Sequence, residues 1–112
     1  MNYLEKIIYT LENNGCEVKL TRDKKSIYRK TSNTRVLREA NIPNGFELYK
    51  KIYNVSGTHN SMYIFNKVLE KLMSNCENIF GGNMMDNYYG ILKRDEFVFL
   101  IDKKTSSIYV YK

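Results

Sequence analysis

Residues 88–112, YYGILKRDEFVFLIDKKTSSIYVYK, predict three β-strands. Residues 96–102 (EFVFLID) form an almost continuous apolar run, which is typical of a central strand buried on both faces of a sheet. The polar residues 103–106 predict a turn into a strand at residues 107–112 (SIYVYK). We therefore expect an antiparallel three-stranded meander in this part of the chain.

The N-terminal part of the chain predicts a helix followed by a hairpin. Residues 13–15 (NNG) are suited to ending the helix, and residues 16–21 then alternate between apolar and polar side chains, as a half-buried strand does. Residues 26–30 (SIYRK) predict the returning strand of a hairpin over residues 16–30. The helix is predicted from apolar residues at positions i, i+3, i+4 and i+7: Leu4, Ile7, Ile8 and Leu11.

The middle of the chain predicts further helices. Asn44 and Glu47 have the spacing of a capping box, which predicts a helix over residues 44–53. Residues 34–41 predict a short helix or a third strand, of which we favour the helix, and residues 60–74 predict a longer amphipathic helix. The expected fold is a single α+β domain over residues 1–112. It combines an antiparallel sheet, made of the N-terminal hairpin and the C-terminal meander, with three to four helices packed on one face.

Composition limits the classes of protein to be considered. Hydrophobic residues make up 43% of the chain, which is typical of a globular protein, and no apolar run approaches the roughly 18 residues of a membrane span. Cys16 and Cys76 are expected to be free thiols in the cytoplasm. With a single His and no paired-Cys spacing, we expect no metal or cofactor. The excess of Asn, Lys, Ile and Tyr indicates an AT-rich genome, so a low-GC bacterium, a phage or a large DNA virus would fit, with the host cytoplasm as the location if the protein is viral.

Positive charge is concentrated in residues 19–38, KLTRDKKSIYRKTSNTRVLR, which we call the basic window. It holds eight of the 18 basic residues and one of the 12 acidic residues, so the rest of the chain is close to neutral. Lys and Arg that neutralise phosphates release counterions, and an aromatic ring among them can stack on bases. We therefore expect a non-enzymatic protein that binds nucleic acid with weak sequence selectivity. The predicted contact residues are Lys19, Arg22, Lys24, Lys25, Tyr28, Arg29, Lys30, Arg35 and Arg38.

Another kind of partner is compatible with the same charge. A phage or mobile-element inhibitor could use the basic window to bind a host-defence protein, a protein that handles nucleic acid, or the anionic ligand of such a protein. Tyr109 and Tyr111 project to one side of the predicted last strand, where they could form an aromatic platform if exposed.

Catalytic patterns are sparse. The order helix, Gly, strand, strand over residues 4–30 resembles that of small HicA-type ribonuclease toxins. Those toxins carry a catalytic His at the hairpin, whereas residues 21–24 here read Thr-Arg-Asp-Lys, so no ribonuclease activity is carried over. His59 is the remaining candidate for acid–base chemistry in a small ribonuclease. Residues 17–19 (EVK) match E-x-K, which is only the last half of a signature of metal-dependent nucleases, and the earlier acidic residue that the signature needs on a neighbouring strand is missing. Asp95, Glu96 and Asp102 flank a strand rather than a cleft.

Overall fold

A computed structural model describes residues 1–20, 41–79, 89–103 and 106–112, without the side chains of residues 19, 20 and 89. Two helices and six strands are present in these ranges. In chain order they are α1 (Tyr3–Glu12), β1 (Cys16–Leu20), β2 (Leu48–Asn54), α2 (His59–Asn75), β3 (Glu77–Asn78), β4 (Tyr89–Arg94), β5 (Phe97–Asp102) and β6 (Ser107–Tyr111).

The helix α1 carries the predicted apolar stripe and ends at Glu12, directly before the residues predicted to end it. The side chain of Asn2 caps it by accepting a 2.8 Å hydrogen bond from the backbone N–H of Glu5. Three of the four apolar residues in the predicted stripe are buried, and Gly15 then reverses the chain with a φ of +92°. This turn directs the chain from α1 into β1.

All six strands form one antiparallel sheet in the order β1-β2-β6-β5-β4-β3. β5 lies between β6 and β4, and each of its six residues is buried. The prediction of a central strand buried on both faces is therefore confirmed. β2 lies between β1 and β6, so the sheet joins segments that are far apart in the sequence.

The sheet has apolar side chains on both faces. One face packs against α1 and α2 through a core that includes Leu11, Phe65, Leu72, Phe99 and Ile108. The opposite face carries a second buried cluster, against which Ile42, Phe46 and Ile79 pack. The members of this second cluster are Leu48, Ile91, Val98, Leu100, Tyr109 and Tyr111.

The predicted helix over residues 44–53 is wrong. Residues 48–54 form strand β2, which pairs with β1 on one side and β6 on the other. Gly45, which would lie in the first turn of such a helix, has a φ of +93° and cannot adopt helical geometry there. The register of β2 shifts between Leu48 and Lys50, and this bulge places buried residues at positions 48, 51 and 52, which imitates the spacing of a helix.

The numbers of helices and strands also need correction, although the α+β class is right. Instead of three to four helices, the described ranges contain two, and both contribute to the core on one face of the sheet. The C-terminal strands are not a separate three-stranded meander, because β2 extends them on one side and β3 on the other. The predicted return strand 26–30 and the short element predicted from Thr34 lie outside the described residues. Neither α1 nor α2, the helices of the described part, is long and apolar enough to cross a membrane.

Candidate nucleic-acid interface

The structure describes one of the nine predicted contact residues, and only its backbone. Lys19 lies in β1, where its Cα is paired with that of Lys51 in β2. The relative geometry of the predicted contact residues therefore stays a prediction. The other eight lie outside the described residues: Arg22, Lys24, Lys25, Tyr28, Arg29, Lys30, Arg35 and Arg38.

The end of the sheet from which the basic window continues carries further positive charge. β1 ends at Leu20, whose Cα is paired with that of Lys50, and Lys112 follows directly after β6 at the same end. The ammonium groups of Lys50 and Lys112 lie 5.1 and 5.3 Å from the ring centre of Tyr49. We call Tyr49, Lys50 and Lys112 the exit cluster. Sequence reasoning missed it because a helix was predicted at residues 49 and 50.

The carboxylate of Glu96 moderates the charge of the exit cluster. The ammonium group of Lys112 lies 3.8 Å from a carboxylate oxygen of Glu96, and both side chains are about half exposed. An exposed ion pair of this kind contributes little to stability, so a phosphate could compete for the lysine. The exit cluster is thus a surface that could extend an anion-binding site without being a strong site itself.

Lys51 is held inside the fold instead of on its surface. Its side chain is 9% exposed, and its ammonium group lies 5.2 Å from the ring centre of Tyr53 and 5.3 Å from that of Tyr109. The hydroxyl of Tyr53 donates a 2.5 Å hydrogen bond to a carboxylate oxygen of Glu17. Aromatic faces attract a cation most strongly where water is excluded, so Lys51 contributes to the packing of this face. Glu17, the acidic residue of the E-x-K match, is the acceptor of this hydrogen bond from Tyr53.

The two C-terminal tyrosines do not form an exposed platform. Tyr109 and Tyr111 lie on the same face of β6, as alternation predicts, but they are 0% and 2% exposed. Both belong to the apolar cluster on the sheet face opposite the helices. They are therefore unavailable for stacking on bases in this arrangement.

His59 is the first residue of α2 and is exposed. The loop before it is fixed by side-chain hydrogen bonds: Asn54 Oδ1 accepts from the backbone N–H groups of Ser56 and Gly57, and the Thr58 hydroxyl accepts from the N–H of Ser61. The bond to Thr58 caps α2 and the bonds to Asn54 hold the loop before it, so the polar residues around His59 have a structural role. In the described part of the chain, no three His, Cys, Asp or Glu side chains converge to hold a metal ion.

Within the described ranges, the remaining titratable groups show no arrangement suited to catalysis. Burial raises the pKa of the Cys16 thiol to about 11, and burial is also the main reason that the pKa of Cys76 is raised. Thiols of this kind are poor nucleophiles at neutral pH because the thiolate is rare. Asp95 precedes β5, and Asp102 is the last residue of β5. The length of the strand therefore separates the two carboxylates by too much for paired carboxylate chemistry.

The described residues therefore present a packed core and a small cationic cluster at one end of the sheet, and no catalytic constellation is found among them. No family model matches the chain, and neither a curated protein nor a solved structure matches it significantly.

Proposed function

We propose that the protein binds nucleic acid, without catalysis and with weak sequence selectivity, through the basic window at residues 19–38. The observation that carries this proposal is the concentration of charge. Eight basic residues and one acidic residue fall in the window, while the rest of the chain holds ten basic and eleven acidic residues. A polyanion with evenly spaced phosphates is the partner that such a segment fits best.

The described residues support the proposal in two ways. Several cations outside the window have acidic neighbours within 4 Å, as Lys67 has Glu70 and Arg94 has Asp95, so they add little to the outward positive field. The exit cluster places two lysines and a tyrosine beside the end of β1, from which the window continues, although Lys112 also has an acidic neighbour, Glu96, at 3.8 Å. A bound nucleic acid could run from the window over this end of the sheet.

Different roles are assigned to residues of the window. Lys24, Lys25, Arg29 and Lys30 would contact phosphates, while Arg22 and Tyr28 would reach bases. Phosphate contacts position a protein on nucleic acid but do not read its sequence, which is why weak selectivity is expected. No metal or cofactor is invoked. We place this activity in the cytoplasm, or in the host cytoplasm if the protein is viral, and the free thiols of Cys16 and Cys76 support that location.

The test is binding to duplex DNA, single-stranded DNA and RNA across a series of salt concentrations. The logarithm of the binding constant should fall linearly with the logarithm of the salt concentration. A variant with Lys24→Gln, Lys25→Gln, Arg29→Gln and Lys30→Gln should bind more weakly and reduce the slope by roughly 3. No measurable binding by the unaltered protein at about 50 mM salt would refute the proposal.

A matched control distinguishes binding through the basic window from attraction by the net charge of the protein. The variant with Lys6→Gln, Lys67→Gln, Lys71→Gln and Lys93→Gln removes the same amount of charge from described helices and β4. Its slope should change by less than about 1, since these residues are not assigned phosphate contacts. Equal losses in the two variants would show attraction by net charge alone and would contradict a localised site.

A protein that handles nucleic acid, or the anionic ligand of such a protein, is the alternative partner. A pull-down from nuclease-treated host lysate distinguishes a protein partner from nucleic acid, because only a protein partner would survive the nuclease. Such a partner should then be lost when the bait is the variant of residues 24, 25, 29 and 30.

Incubation with RNA tests the remaining catalytic alternative. We expect intact RNA, and cleavage that disappears in His59→Ala would establish a ribonuclease instead.

A further inference from the structure

A groove of about 180 Å³ lies between the two helices of the described part, and the proposed function does not use it. Tyr3, Lys6 and Ile7 line it from α1, and Val68, Lys71 and Asn75 line it from α2. Specific pockets for whole small molecules usually have volumes of roughly 300–1,000 Å³. The groove is therefore too small to enclose such a molecule, and its size suits one bulky side chain of a larger partner.

The floor of the groove is apolar. Ile7 and Val68 are 8% and 6% exposed, and both belong to the core between the helices and the sheet. Their outer surfaces form the base on which an inserted side chain would lie. Burial of an aliphatic or aromatic side chain on such a base is favourable by about 25 cal/mol per Å² of apolar surface removed from water. A bare phosphate would gain nothing from it.

The rim of the groove is positively charged. Lys6 and Lys71 are exposed, one on each helix, and neither forms an ion pair within the described ranges. No acidic residue lines the groove. The nearby lysine Lys67 is different, because its ammonium group lies 3.4 Å from a carboxylate of Glu70. Lys6 and Lys71 thus flank the apolar base, and neither has an acidic partner within the described ranges. This arrangement is complementary to an apolar side chain that is itself flanked by carboxylates.

The end of the groove near the N-terminus of α1 is fixed in shape. The guanidinium of Arg94 lies 4.2 Å from the ring centre of Tyr3 and donates a 3.0 Å hydrogen bond to the backbone carbonyl of Asn75. The thiol of Cys76 lies 3.9 Å from the hydroxyl of Tyr3. These contacts hold the start of α1 against the end of α2, so the groove exists before a partner arrives and a ligand need not open it.

We propose that the groove between α1 and α2 docks an acidic segment of a partner protein, with one bulky apolar side chain on Ile7 and Val68 and carboxylates on Lys6 and Lys71. This interaction is independent of nucleic-acid binding, because it uses a surface of the helices rather than the basic window. The proposal can hold whether or not the basic window binds phosphates. It adds a second, protein-directed surface to the molecule.

The experiment begins with selection of binding peptides from a random phage-displayed library on the full-length protein. We expect enrichment of peptides in which one Leu, Ile, Phe or Met is flanked by Asp or Glu. A selected peptide, added to protein with labelled methyl groups, should shift the NMR signals of Ile7 and Val68. Replacing its apolar residue by Ala should weaken binding by roughly tenfold or more.

Matched variants test the role of the rim. Lys6→Gln with Lys71→Gln should weaken binding of the selected peptide by roughly fivefold to tenfold. Lys67→Gln with Lys93→Gln removes the same charge outside the groove and should change the affinity by less than about twofold. No enrichment, selection of neutral or basic peptides, unshifted signals of Ile7 and Val68, or equal effects of the two variants would each overturn the proposal.

Discussion

The ammonium group of Lys51 lies 5.3 Å from the ring centre of Tyr109, its paired residue across β2 and β6. A second ring, that of Tyr53, lies 5.2 Å from the same group, and the lysine is 9% exposed. Desolvated contacts between a cation and an aromatic face contribute up to about 2 kcal/mol. Lys51 thus belongs to the buried part of the sheet, although a lysine is usually expected on the surface.

The first prediction concerns this contact. Lys51→Ala should lower the free energy of unfolding by about 2–3 kcal/mol, because it removes the cation and the packed methylene stem. Lys51→Met should cost less, since it keeps most of the stem. Urea denaturation measures both. Lys67→Ala is the control: the ammonium of Lys67 lies 5.5 Å from the ring centre of Tyr63, but it is half exposed, so the loss should stay below about 1 kcal/mol. Similar losses of unfolding free energy in Lys51→Ala and Lys67→Ala would contradict a buried role for Lys51.

A second prediction follows from the close approach of Gly15 and Ser56. A Cβ placed on Gly15 would lie 2.6 Å from the Cβ of Ser56, and the φ of Gly15 is +92°. Gly15→Ala should therefore lower the melting temperature and cost about 2–4 kcal/mol, from both backbone strain and steric overlap. Gly45→Ala has a similar φ of +93° but no atom within 4 Å, so about 1 kcal/mol is expected. An equal cost at the two positions would show that the contact with Ser56 adds nothing.

The third prediction concerns alkaline pH. Burial raises the pKa of Cys16 from 9.0 to about 11, so above pH 9 the unfolded state releases the thiol proton while the folded state retains it. The stability that Cys16 contributes is therefore complete below pH 9 and is lost progressively up to about pH 11. Cys16→Val removes this titration. The difference in unfolding free energy between the unaltered protein and the variant should shift by up to about 2 kcal/mol across that range. A difference that stays constant with pH would contradict a buried, protonated thiol.

The fourth prediction tests the cap of α2. The hydroxyl of Thr58 accepts a 3.1 Å hydrogen bond from the backbone N–H of Ser61, which would otherwise lack a helical partner. Thr58→Ala should cost about 1 kcal/mol in urea denaturation. His59→Ala changes the next residue, which is exposed, and should cost less than about 0.5 kcal/mol. A larger effect at His59 than at Thr58 would show that the histidine has a structural contact of its own.

Sequence patterns predicted those elements whose periodicity was regular. α1 and α2 carry apolar residues at helical spacing, and β5 is apolar at successive positions because both of its faces are buried. β2 was mistaken for a helix for a physical reason. Its bulge changes the phase of alternation between Leu48 and Lys50, and the buried lysine at position 51 appears polar in any sequence pattern. A strand with a phase shift and a charged core residue has no clear period of two.

The candidate site was less accessible to sequence reasoning than the fold. Charge concentration identified the basic window, but the exit cluster depends on pairing between β1, β2 and β6, which brings residues 49, 50 and 112 to the end of β1. The groove between α1 and α2 likewise arises from helices separated by more than 45 residues. Long-range juxtaposition of this kind leaves no local signal in a single sequence.

The interior position of β6 also affects when the protein can fold during synthesis. Residues 107–111 pair with β2 on one side and β5 on the other, so the two halves of the sheet remain unjoined until this segment has left the ribosome. A nascent chain that ends before Ser107 would expose strand edges of both halves and would be at risk of aggregation. The native structure can therefore form only after β6 has been translated, although helix α1 is synthesised much earlier.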